Sequence, residues 1–522
     1  MEVDRFQLQK EICRLSTTKL NCGKSIAELS EYKGVSLWWF HYYTFTRKVY
    51  EKLNGSTDNI PHDYRTIKQV GELVYCPALY YVWNAMERIY YPNQENRNNR
   101  KIIFIEIPRY WINSKDTFFG SIKEKLLADG KTEILSTFSV GCDIHQIKTM
   151  LDIMKHEKKI KHRPLEYYQS LDTNICEHKA RIRYSKIWEI IKDDKVLHEL
   201  LSFHGMDMHK IMISELEHCF KTALGKTVLE IETVTRMVQK ETPSCIVVVD
   251  EGGRPHPYVM GCKQTGKPII SIQHGTISSQ ITFWCGSERF SMLPDITTVY
   301  GKTYQDILIQ TRMYRETDIV ITGNHRDDVI FQKRSKEQIC NSIGLNKEKK
   351  ILLWTFTMFY NPPDENRNYI NTMSNAVKKL DVQLVISLHP SSTKESEQQL
   401  RSMCFSEIII VHKTDINDLI YICDALITKK STTAITAMVM GKPVIIMNFS
   451  GQPDMQPYVS GGLAAGVYHE KDLIPAIETV LSGQQDTEIK KKRDELLNNL
   501  VYIQDGKATN RIVDAINEDK KI

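Results

Sequence analysis

A chain of 522 residues, 41% hydrophobic and 25% charged, has the length for two or more soluble globular domains with a large core. Its net charge of +5 is small for that length, which excludes a bulk electrostatic case for nucleic acid as a partner. The 12 cysteines form no CxxC pair and no metal-ligand spacing, so no zinc site is expected, and reduced thiols are expected rather than a disulfide framework.

The first residues, Met1-Glu2-Val3-Asp4-Arg5, lack the apolar stretch of a secretory signal. The longest apolar-aromatic run, 37–45, is too short to cross a bilayer, so a cytoplasmic protein is expected, with peripheral contact at the cytoplasmic face of the inner membrane left open. Within that run Trp38, Trp39, Phe40, Tyr42 and Tyr43 cover every face of a helix and read as core before they read as a sugar-stacking surface. A strand is expected at 101–107. The basic run 155–163 reads first as a solvated face and otherwise as a contact for anionic lipid. Residues 145–240 have a mainly helical pattern and interrupt the first set of strands.

Cys245-Ile246-Val247-Val248-Val249 has the pattern of a buried parallel strand and ends in Asp250-Glu251-Gly252-Gly253. A helix at 257–264 stops at Gly266, and Lys267-Pro268 leads into a strand at 269–272 and then Gln273-His274-Gly275-Thr276. Another strand is expected at 296–300. The later half repeats this grammar: strands at 351–355, 383–387, 407–411, 425–428 and 444–447 alternate with helix-length segments, and a helix at 434–440 stops at Gly441 before Lys442-Pro443. Two such βαβ sets imply an α/β protein with two Rossmann-like sheets. The expected divisions are 1–335, holding a helical insertion at about 145–240, then 336–490, then closing helices at 491–522.

The ordered set Asp250-Glu251-Gly252-Gly253-Arg254, Gly266-Lys267-Pro268, Gln273-His274-Gly275-Thr276 and Gly323-Asn324-His325-Arg326 resembles the acceptor side of GT-B glycosyltransferase-like proteins of bacterial surface-polysaccharide synthesis, among them polysialyltransferases, Kdo transferases and glycerophosphate polymerases. His389-Pro390 and Ser431-Thr432-Thr433 resemble the paired motifs by which such proteins hold a nucleotide-activated donor, and Asp505-Gly506-Lys507-Ala508 resembles the start of their last helix. The resemblance spans about 245–516 and implies two facing Rossmann-like domains, with the donor on the second. It also implies a nucleotide-sugar donor, CMP-, CDP- or UDP-linked, and a glycan or lipid-linked acceptor for capsule, lipopolysaccharide or another surface glycan. Thr436 departs from the pattern, standing where many such proteins carry a glutamate that grips the donor, and this favours inversion over retention.

Lys429-Lys430-Ser431-Thr432-Thr433 ends a strand pattern and opens a helix pattern, so ammonium groups, hydroxyls and helix-start N–H groups converge where a phosphate would sit. Thr355 and Thr357 after one strand, and His389-Pro390 after another, add donors at the same sheet edge. Transfer from such a donor needs a base for the acceptor hydroxyl and positive groups for the departing phosphate. His274, following a buried strand and beside Gly275, is the leading base. Asp250 and Glu251 are its rivals or its orienting carboxylates, and Arg254, Gln273, Gly275, Asn324 and Arg326 are acceptor or cleft residues. No Asp-x-Asp triplet occurs, so neither a metal nor another cofactor is expected. The sequence thus reads as an inverting, metal-independent glycosyltransferase, with a nucleotide-sugar 2-epimerase and a non-catalytic glycan- or nucleotide-binding scaffold as alternatives.

Overall fold

The computed structural model describes residues 5–53, 80–91, 100–112, 114–140, 144–203, 206–250, 256–277, 292–311, 313–331, 334–356, 363–389, 392, 394–404, 408–412, 414–454, 456, 458–483 and 487–518. Two wholly parallel sheets carry the fold. The first has seven strands: β1 (Arg100–Ile105), β2 (Thr132–Phe138), β3 (Lys161–Pro164), β4 (Cys245–Asp250), β5 (Ile269–Gln273), β6 (Ile296–Val299) and β7 (Ile319–Ile321), in the order β7-β6-β5-β4-β1-β2-β3. The second has six: β8 (Lys350–Phe356), β9 (Val382–Leu388), β10 (Ile409–Val411), β11 (Ala425–Thr428), β12 (Val444–Met447) and β13 (Ala465–Val467), in the order β10-β9-β8-β11-β12-β13. This is the expected GT-B-like α/β architecture.

Helices cover both faces of each sheet, so the central strands are apolar throughout: Ile246, Val247, Leu352, Ile427 and Ile445 are fully buried. The two Gly-Lys-Pro stops work as their chemistry requires. The helix Pro257–Lys263 runs into Gly266 at φ +67°, and Thr433–Val439 runs into Gly441 at φ +71°, conformations that spare glycine a Cβ clash.

Four strands of the observed sheets have no counterpart in the sequence reading. β2, β7 and β13 are regular parallel strands, and β3 lies inside the segment expected to be helical. Its sequence, KHRP, hides the strand because its buried residues are polar: His162 is fully enclosed, and Arg163 forms a bidentate pair with Glu87 and reaches Glu241 at 2.6 Å. The last third of the basic run is therefore a largely buried edge strand, whereas Lys155, His156, Lys158 and Lys159 before it are exposed, as a solvated face would be. The rest of that segment is mainly helical, chiefly Ile144–His156, Leu171–Ile191 and Leu224–Glu241, with a short antiparallel pair of strands, Ser202–Phe203 and Met206–Asp207.

The aromatic run opens the helix Trp38–Leu53 as core: Trp38, Trp39 and Tyr42 are buried, and the Trp38 indole donates to Ser16 Oγ at 2.7 Å. Among the described residues eight cysteines are free thiols and Cys13 is disulfide-bonded, a departure from wholly reduced thiols. Among the described residues no helix is long and apolar enough to cross a membrane.

Two late helices return across the molecule. Thr487–Val501 packs its Leu500 and Val501 in a cluster that holds Val299, Tyr300 and Tyr304 of the first half and Leu426, Ile435 and Val444 of the second. It comes so near β6 that a Cβ at Gly301 would lie 2.4 Å from Asn499 O, so only glycine fits. The last helix, Ala508–Asn517, lays Ile512, Val513 and Ile516 on the first sheet against Ile102, Val247 and Ile270. Ile512→Ala should destabilise by about 2–5 kcal/mol, read from urea unfolding midpoints; a loss below about 1 kcal/mol would mean that the helix contributes little to covering the sheet.

Candidate active site

Parallel strands put their C-terminal ends on one side of a sheet, and the loops beyond them form a cleft edge. In the first sheet β5 delivers Gln273-His274-Gly275 and β7 delivers residues 322–328. Gln273 is 1% exposed, its amide donates to Gly275 O at 2.6 Å, and its Oε1 accepts from Tyr300 N at 2.8 Å. Both ends of its amide are engaged within the protein, so it braces the turn beneath the cleft. The brace fixes the turn that presents His274. Two rings flank that imidazole, Tyr110 at 5.8 Å and Phe118 at 6.5 Å between centroids, and Tyr110 stacks on Phe118 at 4.9 Å.

Arg326 holds the same corner from the other side. Its Nη2 donates to His274 O at 2.9 Å and to Tyr300 OH at 3.3 Å, and its guanidinium lies 5.6 Å from the Phe118 ring centroid. Neighbouring His325 is buried, burial and then Arg326 push its pKa down to about 4, and the neutral ring donates through Nε2 to Phe118 O at 2.6 Å. Asn324 is likewise interior: it donates to Asp327 Oδ2 at 2.9 Å and accepts from Arg326 N at 3.3 Å.

Beneath the aromatic wall lies a buried charge cluster that the sequence reading did not single out. Lys123, 1% exposed, pairs with Glu106 and, at 2.7 Å, with Asp116, whose Oδ1 accepts from Phe118 N and Phe119 N at 2.9 Å each. Burial pushes the Glu106 pKa up, while Asp116 and Glu106 overcome burial to keep Lys123 charged. The cluster thus sets the loop from Tyr110 to Phe118 against His274.

In the second sheet β8 and β11 pair Thr355 with Thr428, so their loops start level. Thr355 and Thr433 share a hydrogen bond at 3.2 Å, Thr433 Oγ1 donates to Ser431 Oγ at 2.8 Å, and Ser431 N donates to Thr428 Oγ1 at 3.3 Å. The hydroxyls therefore form an ordered chain. Lys429 does not join it: its ammonium pairs with Glu365 at 2.6 Å beside the Tyr369 ring. His389 follows β9, and its carbonyl accepts from Ser392 N at 2.8 Å, closing the expected turn.

The two edges meet. A Cβ placed on Gly275 would lie 4.0 Å from Thr432 Cγ2, so the His274 corner faces the hydroxyl-rich turn. Deeper in, Thr436 Oγ1 donates to Asp327 Oδ1 at 2.9 Å. Among the candidate residues, Glu251, Arg254, Thr357 and Pro390 lie outside the described residues, and of Asp250 only the backbone, paired with Gln273, is described. Tyr110, Phe118, Tyr300 and Asp327 line or support the site without having been picked out. Asp327 directly follows the motif Gly323-Asn324-His325-Arg326 and was the one within reach of a sequence signal.

Two facing parallel sheets thus bring an anion-suited turn opposite a histidine corner. Residues 260–518, 259 of the 522, match the family model described as CDP-glycerol:poly(glycerophosphate) glycerophosphotransferase. The matched stretch contains His274, the 322–328 loop, His389 and the 429–433 turn, and it supports the expected enzyme class, a glycosyltransferase-type enzyme of surface-polymer synthesis. No curated protein matches the chain. Among solved structures, the S. aureus MnaA-UDP complex is 15% identical with a TM-score of 0.50, covering 80% of this chain and 96% of its own. A structure from Listeria monocytogenes assigned as a UDP-N-acetylglucosamine 2-epimerase is 14% identical with the same TM-score and coverage. At those identities the likeness shows the fold alone. The wall teichoic acid polymerase TagF is 13% identical over 87% of this chain and 98% of its own, with a TM-score of 0.45 that carries no inference.

Burial pushes the Asp327 pKa up to about 6, against the pull of Thr436 and Arg326. That is above the ~3.9 of an unfolded aspartate, so the folded state keeps the proton between the two values and loses stability as pH rises through that window. The stability of the wild type minus that of Asp327→Asn, from denaturation midpoints, should therefore fall between pH ~4 and ~6 and stay level above it. A difference that is flat with pH would place Asp327 in an ordinary solvated setting.

Proposed function

We propose that the chain is a metal-independent transferase that moves a group from a cytidine-diphosphate-linked donor to a hydroxyl of a surface polymer, with residues 1–335 as the acceptor side and 336–490 as the donor side. The observation that carries this reading is the approach of Gly275 to Thr432, which puts His274 and the hydroxyl chain across one cleft inside the family-matched stretch. Work at the cytoplasmic face of the membrane fits an acceptor that is lipid-linked.

His274 takes the proton of the acceptor hydroxyl as that oxygen attacks. With a CDP-polyol donor the attack falls on the outer phosphorus, the phosphoanhydride P–O bond breaks, and CMP departs with the electron pair. With a sugar nucleotide it falls on the anomeric carbon, the carbon–oxygen bond breaks with inversion, and the nucleoside diphosphate departs. Lys430, His389 and the hydroxyls of Thr355, Ser431, Thr432 and Thr433 receive the negative charge that develops on the leaving phosphate. Arg326 acts one layer back, fixing the His274 backbone and adding positive potential to the cleft.

His274→Ala should lower turnover by ~10²-fold or more while nucleotide affinity changes little. Unchanged turnover would remove His274 from the reaction. In wild-type reactions containing a chelator, release of CMP together with polymer extension is expected from a CDP-polyol donor; release of CDP or UDP would mark glycosyl transfer instead. Conversion of a nucleotide sugar incubated without acceptor would mark a 2-epimerase, and loss of turnover on chelation would end the metal-independent reading.

A further inference from the structure

A single buried hydrogen bond ties the loop of one sheet to the helix of the other. Thr436 lies on the helix Thr433–Val439 that follows the donor turn, and Asp327 lies in the loop after β7. Both are interior, Asp327 3% and Thr436 9% exposed. From Asp327 the connection continues without a break: Asn324 donates to its second oxygen at 2.9 Å, Arg326 N donates to Asn324 Oδ1 at 3.3 Å, and Arg326 Nη2 donates to His274 O at 2.9 Å. The helix that carries the hydroxyl turn is thereby joined to the backbone of the base.

We infer that Asp327 and Thr436 are positioning residues, which set His274 against the donor turn by fixing the 273–275 corner relative to residues 429–433. The physical ground is directionality. Apolar packing across the halves, as among Tyr300, Tyr304, Leu426 and Ile435, tolerates small sliding movements, whereas an enclosed carboxylate with a donor on each oxygen is costly in any arrangement that leaves one unmet. A displacement of about 1 Å between base and leaving group is enough to cost ~10²-fold in rate. Neither residue needs to touch the substrate for this effect. The inference rests on the base and donor sites assigned under Proposed function.

The test uses the full chain and Thr436→Val, which keeps the branched shape and removes the hydroxyl. In the ligand-free protein, hydrogen exchange at the amides of Tyr300 and Asp327 should quicken by ~tenfold or more, while amides of β9 keep the wild-type rate. In transfer assays kcat should fall by ~tenfold or more with donor KM within ~twofold, and Thr436→Ser should restore both. Asp327→Asn should show the same split, and the double variant should be no worse than the worse single one. Wild-type exchange and kcat in Thr436→Val would overturn the inference, as would strictly additive losses, or exchange that quickens evenly across both sheets. Should the wild type prove to transfer nothing, the exchange measurement still decides the coupling, and only the transferase reading falls.

Discussion

A carboxylate enclosed by protein must find donors for both of its oxygens, and Asp327 finds them on opposite halves of the molecule: Asn324 in its own loop and Thr436 on the helix of the second sheet. The residues beside it are equally committed. Arg326 reaches the His274 carbonyl, and Asp328 caps the last helix by accepting from Ala508 N at 3.1 Å and Thr509 N at 2.7 Å. Three consecutive side chains therefore connect the His274 corner, the helix Thr433–Val439 and the closing helix. The relative placement of these parts follows from the geometry of one short loop.

The His274 corner is framed in layers. Gln273 holds its turn, Tyr110 and Phe118 wall one side, and the buried Glu106–Lys123–Asp116 cluster holds the wall in place. A neutral, interior His325 completes the frame without competing for protons near neutral pH, since its own pKa is low. Across the cleft, the hydroxyls of Thr355, Ser431 and Thr433 are aligned by bonds to one another before any ligand arrives. Such fixed dipoles need little reorganisation when charge develops, which is the main way a protein stabilises a departing anion.

Sheet architecture was readable wherever strands are apolar runs bounded by glycine and proline, as at Cys245-Ile246-Val247-Val248-Val249 and Val444-Ile445-Ile446-Met447. It was not readable at β3, where burial is reached through ion pairing of Arg163 and enclosure of His162, because hydrophobic periodicity carries no trace of either. The His274 corner and the 429–433 turn stood out because polar residues directly after buried strands have few structural reasons to be there. Local spacing could not show that Lys429 turns away to Glu365, or that Gln273 and Asn324 spend their amides inside the protein. Nor could it bring Tyr110 and Phe118 to His274, since more than 150 residues separate them and only the parallel register of β1, β4 and β5 closes that distance.

The last helix covers a face of the sheet whose first strand begins at Arg100, so Ile102 waits for Ile512 and Ile516 across some four hundred residues of chain, and Val247 across more than two hundred and fifty. During translation at ~5–20 residues per second, that apolar face stays bare for tens of seconds after its own strands have left the ribosome. The first sheet cannot complete its core before that helix has been made. Nascent chains should accordingly lean on a holding chaperone until the helix Ala508–Asn517 has emerged, and the two sheets should acquire their native state together.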